Sequence, residues 1–83
     1  MQAHVWIPNK TKSNQLVPVM AWGDLPFPHI GDHIELSYLQ KAADRGWYVV
    51  ERITWFTICT DRGKQTPIAT DAHVRIEVRR RDE

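Results

Sequence analysis

Residues 46 to 59 read Gly-Trp-Tyr-Val-Val-Glu-Arg-Ile-Thr-Trp-Phe-Thr-Ile-Cys, a run dense in aromatic and β-branched side chains. Such residues lose little on a pleated, half-buried surface and are crowded in a helix, so the run predicts a strand. Its odd positions Trp47, Val49, Ile53 and Trp55 are apolar, and so are its even positions Tyr48, Val50, Phe56 and Ile58. Glu51 and Arg52 interrupt both sets. One extra residue at 51–52 would exchange the two faces, so the stretch predicts one long strand bent by a β-bulge.

Working outward, His73 to Arg79 alternates, with Val74, Ile76 and Val78 on one side and Arg75, Glu77 and Arg79 on the other. That is the period-2 pattern of a half-buried strand. Ile68-Ala69-Thr70 reads as a short strand preceding it, and Asp61-Arg62-Gly63-Lys64 supplies turn chemistry. At the other end, Val5 and Ile7 alternate with His4 and Trp6 until Pro8, which has no N–H to give a ladder. Residues 9–15 are polar turn formers and predict a mobile loop. Residues 16–22 are apolar but hold Pro18, which assigns them to an edge strand. Pro26 and Pro28 push Leu25 and Phe27 toward extended geometry, predicting a stiff crossing whose two apolar side chains plug one end of the core. Residues 80–83 read as a frayed tail.

Gly31 to Gly46 accepts two periods. As a helix over 32–45, Asp32 would cap, Glu35 would complete a capping box, and Ile34, Tyr38 and Ala42 would share a face. As a strand, Ile34, Leu36 and Tyr38 alternate with His33, Glu35 and Ser37, followed by a helical turn within Leu39 to Arg45. The strand is favoured; the helix, packed on an antiparallel sheet as an α+β fold, is the alternative.

The chain has 83 residues, with 42% apolar and 25% charged, which is the composition of a single globular domain spanning 1–83. Eleven Lys and Arg against ten Asp and Glu leave a net charge of +1, so no global field commits it to nucleic acid or anionic lipid. One cysteine cannot make an internal disulfide. Together with the lack of an export-type N-terminal pattern or an apolar run of membrane-spanning length, this predicts a cytoplasmic protein away from membranes.

Pro28-x-x-Gly31-Asp32-x-Ile34-x-Leu36, then Tyr48-x-Val50-x-x-Ile53-x-Trp55, then Val74-Arg75-Ile76-Glu77-Val78 resembles the small SH3-like β-barrel proteins common among phage and mobile-element genes. The resemblance implies a mainly β fold, a small five-stranded barrel with one short helical turn. In it the Gly-Asp turn opens a strand, the Tyr-x-Val strand pairs antiparallel with that one, and the last strand closes the sheet. It implies no catalytic residue.

The expected core is Val5, Ile7, Val19, Ile34, Leu36, Val50, Ile53, Ile76 and Val78, with at least two of the four tryptophans buried beside it. His29 and His33, with Asp32, Asp71, His73 and Cys59 as further donors, raise the question of a metal. Gly31 breaks their helical spacing and no known ligand pattern is present, so no metal, cofactor or catalytic residue is assigned. Cys59 ends an apolar run and reads as an inert buried thiol. Two binding functions remain. One is a non-enzymatic accessory module, docking on a protein partner or on itself as a homodimer, because the long strand is apolar on both faces. The other is nucleic-acid binding through aromatic and arginine side chains, which singles out Trp6, Trp22, Arg75, Arg79, Arg80 and Arg81.

Overall fold

The computed structural model describes residues 1–9, 15–60, 63 and 66–81. They form five strands and one 3₁₀ turn: β1 (Gln2–Pro8), β2 (Leu16–Trp22), β3 (His33–Leu36), the turn Ala42–Asp44, β4 (Gly46–Thr60) and β5 (Ile68–Arg80). One sheet holds all five in the order β2-β1-β5-β4-β3. It curls into a half-barrel whose free edges are β2 and β3. The mainly β reading therefore holds, and the helix over 32–45 does not form. A helix there would leave the outer edge of β4 over 46–49 without a strand partner, whereas as a strand β3 sets Ile34 against Tyr48 and Leu36 against Gly46 and buries Leu36. Tyr38, which the helical period would have placed inside, is 99% exposed.

The bulge lies where the charge pair interrupts the apolar pattern. Val50 faces Val78 and Arg52 faces Glu77, so Glu51 is the extra residue. Beyond it Ile53 faces Ile76 and Trp55 faces Val74, which keeps apolar side chains on the inner face on both sides of the bend. A second bulge in β2, between the pairs Val5–Met20 and Trp6–Pro18, takes up Val19 next to the proline that cannot donate.

The core occupies the inner face: Val5, Ile7, Leu36, Tyr48, Val50, Ile76 and Val78 are buried, with Val17, Val19, Met20, Trp22, Phe27, Ile34, Leu39 and Ile53 packed half-buried against them. Val5 and Ile76 are fully enclosed because β1 and β5 are interior strands paired directly, Val5 opposite Ile76. Each such side chain contributes about 1.5–3 kcal/mol. Three expected core members, Val19, Ile34 and Ile53, are only half-buried, since the open side of the half-barrel puts no second layer over them. Tyr48 is a core residue the pattern did not single out.

Four further expectations are corrected. None of the described tryptophans is buried, and Trp47 and Trp55 stand about half exposed at 49% and 50%. Leu25 is 66% exposed; only Phe27 reaches the core, meeting Trp55 edge to face. Ile68–Thr70 is not a separate strand but the start of β5. And β5 does not close the sheet: it lies at the centre, parallel to β1 and antiparallel to β4. The loop at 9–15 falls mostly outside the described residues, as do Asp61, Arg62 and Lys64 of the expected turn and residues 82–83 of the expected tail. Asn9 N–H donates to the Gln15 carbonyl at 2.8 Å where that loop closes.

The turn into β3 uses Gly31 at φ +96°, a conformation that disfavours side chains. Its N–H donates to Val50, whose own N–H donates to Asp32, and the Asp32 carboxylate accepts from His29 N–H at 2.8 Å. The stretch 39–45 is tied down by its carbonyls. Leu39 accepts from Arg45 Nε at 2.6 Å, Asp44 from the Tyr48 hydroxyl at 2.5 Å, and Ala43 from Arg80.

Candidate functional site

β4 has 15 residues and β5 has 13, but β3 covers β4 only over 46–49 and β1 covers β5 only over 73–77. The distal halves therefore run on together as a two-stranded arm, and the molecule is 50 Å long against 28 and 23 Å across. Fifteen residues at about 3.3 Å each account for that length.

On this arm and its root Trp55, Phe56, Ile58 and Ile68 are 45–51% exposed. The pleat sends Trp55 to the inner side, with Val74, and Phe56 to the outer side, with His73. Trp55 receives Phe27 at a centroid distance of 5.3 Å and 80°. From Ile53 to Thr60 and from Thr66 to Thr70 the sequence has no charged residue. Cys59 belongs to this arm and is exposed, not the buried thiol its apolar neighbours predicted. The reason is register: β1 reaches β5 only as far as His73, and among the described residues no third strand covers the arm over residues 68–72 of β5.

The outer face of the sheet carries a second arrangement. The Arg75 guanidinium lies 4.0 Å from the Trp6 ring centre and 4.9 Å from that of Phe56, a cation held between two rings from the neighbouring strands. Beside it Thr54 Oγ1 donates to Glu77 Oε2 at 2.8 Å.

The residues singled out for binding do not converge. Trp6 and Arg75 meet on the outer face, but Trp22 opposes Ala3 on the inner side and donates its indole N–H to the Leu25 carbonyl at 3.3 Å. Arg79 and Arg80 alternate across the pleat. Arg79 is exposed opposite Val49, whereas Arg80 is half-buried, lies over the Tyr48 ring at 5.4 Å and donates to Ala43. Arg80 is thus part of the fold and not of a frayed tail. Arg81 is exposed, and its N–H donates to the Trp47 carbonyl.

Between the two sheet edges opens a cleft of about 910 Å³, whose walls include Ile7, Val17, Met20, Leu36 and Leu39. Among the described residues no group of three or more His, Cys, Asp and Glu is placed to hold a metal ion, and no helix is long and apolar enough to cross a membrane. His29 and Asp32 are partners in the turn. At Asp71 the amino group of Met1, 2.9 Å away, and the Ala72 N–H hold the carboxyl below the ordinary aspartate value. No protein-family model, no curated protein and no solved structure matches the chain.

Proposed function

We propose that the chain is a non-enzymatic interaction module, of the accessory kind carried by phages and mobile elements, that binds a protein surface or another copy of itself through the β4–β5 arm. The observation that carries this is the arm: a two-stranded projection whose β4 strand is uncharged from Ile53 to Thr60, with four large apolar side chains half exposed on it and at its root. A surface of that kind is costly in water and is characteristic of a contact site. The test places a photo-crosslinking amino acid at Ile58 on the arm and, in a separate protein, at Gln40 on the wall of the cleft, away from the arm. Irradiation in cells is expected to give protein adducts from position 58, unaffected by nuclease, and not from 40. An arm that yields none overturns the reading.

A second reading, nucleic-acid binding by the outer face, has one observation in its favour: Trp6, Phe56 and Arg75 form a π–cation platform there. Against it, Arg80 is engaged on the opposite side. Oligonucleotide anisotropy separates the two, because phosphate contacts weaken steeply between about 50 and 200 mM salt and apolar contacts do not.

A further inference from the structure

We infer that the distal edge of β4 pairs with the same edge of a second copy, antiparallel and about a two-fold axis, so that two arms join two half-barrels into one continuous sheet. This rests on the arm being a contact site and names its occupant.

The argument compares the free backbone edges among the described residues. β2 is broken by Pro18 and by its bulge. β3 is four residues long and carries His33 and Glu35. The free edge of β5, residues 68–72, begins next to Pro67 and includes Asp71, which is bonded to the chain's first amino group. Proline, bulges, shortness and charge are the devices by which edge strands avoid pairing with other chains. From Ile53 to Thr60 the β4 edge has no proline and no charge; the one register shift there, between Ile58 and Cys59, puts its extra residue, Thr70, on β5, and Val50 is the last residue whose backbone the Gly31–Asp32 turn engages.

The occupant follows from symmetry and charge. An antiparallel pair of identical strands satisfies its own donors and acceptors on both sides at once, the self-complementary contact of a two-fold dimer. Because the segment is neutral, like charges do not oppose a second copy. Side chains on the same face must meet, so residue numbers in a pair sum to an even number; a dyad at Phe56, for example, sets Thr54 against Ile58 and Ile53 against Cys59 of the other copy. The exposed parts of Trp55, Phe56, Ile58 and Ile68 amount to about 400 Å², judging from the 150–250 Å² that large side chains present. Doubled, that lies below the ~1,200 Å² of standard interfaces, so the dimer is a concentration-dependent one.

Sedimentation velocity of the full chain from about 1 to about 200 µM tests it. The expected result is a monomer–dimer transition that Ile58→Lys shifts at least about tenfold upward in concentration, with unchanged far-UV circular dichroism and denaturation at the lowest concentration. A chain that stays monomeric at about 200 µM overturns the inference. A second measurement is independent of that substitution. In a Cys59→Ser background, single cysteines at 55, 56 and 57 are oxidised; only the residue on the dyad meets its own counterpart, so one position is expected to cross-link about tenfold more than the others. Equal cross-linking at all three, or none, counts against the pairing. A monomer whose residue 58 still photo-cross-links to protein in cells ends this inference and leaves the interaction-module reading standing; a monomer with no adduct ends both.

Discussion

The Tyr48 hydroxyl donates to the Asp44 carbonyl at 2.5 Å, so a core side chain with 1% exposure also fastens the 3₁₀ turn that connects β3 to β4. Its ring and its hydroxyl therefore contribute separately. Tyr48→Phe keeps the ring and is expected to cost about 1 kcal/mol for the lost hydrogen bond. Tyr48→Ala removes both and is expected to cost about 3–5 kcal/mol, most of the stability of so small a domain. Urea titration of both variants checks this, and equal losses would show that the ring contributes nothing beyond its hydroxyl.

Ile76 is fully buried on the central strand, while Leu25, also apolar, is 66% exposed. Ile76→Ala is expected to cost about 2–5 kcal/mol and Leu25→Ala less than about 0.5 kcal/mol. Comparable losses at the two positions would mean that the crossing at 23–28 closes over the core after all.

Phe27 and Trp55 are coupled by their edge-to-face contact. A double-mutant cycle of Phe27→Leu and Trp55→Leu is expected to give about 0.5–1.5 kcal/mol of interaction energy. Strict additivity would mean that the crossing does not rest on the arm root.

Arg75 lies between two rings, so its contribution is expected to resist salt better than a surface ion pair does. Arg75→Ala is expected to cost about 1–2 kcal/mol, little changed between low and high salt, with an altered Trp6 emission spectrum. A loss that vanishes at high salt would assign Arg75 to simple charge pairing.

The folded state holds the Asp71 carboxyl below its ordinary value, chiefly through the hydrogen bond from the Met1 amino group and then the Ala72 N–H. Its stabilisation is therefore complete above the unfolded value near 3.9 and is lost as pH falls through the lower folded value. Denaturation midpoints of the parent and of Asp71→Asn are expected to differ by a small, steady amount between about pH 5 and neutrality and to converge in acid. A gap that widens on acidification would reverse the sign of this linkage.

Local signals in the chain carried much of the fold. The Glu51–Arg52 interruption located the bulge, Pro18 located an edge, and the alternation of Val74, Ile76 and Val78 marked the buried face of β5. What local pattern could not carry was partnership over distance. β1 and β5 are joined by register, Val5 to Ile76, and nothing in either segment states that the pairing is parallel. The exposure of Trp55, Ile58 and Cys59 escaped for the same reason: an apolar strand looks identical whether or not another strand covers it. Arg80, adjacent to two exposed arginines in sequence, gave no sign that Ala43 and Tyr48 would hold it.

The parallel pairing of β1 with β5 also sets the order of events during synthesis. β1 and β2 leave the ribosome first, and a lone hairpin is marginal in water. The strand that encloses Val5 is translated after the other four, so the nascent chain has no complete core until Ile76 has emerged, and closure joins the first strand of the sheet to the fifth. Through that interval the uncharged stretch Ile53–Thr60 is already outside the tunnel without its β5 neighbour. Completion of the core thus waits for β5 to emerge, and the vulnerable period is the interval between the emergence of β4 and that of β5.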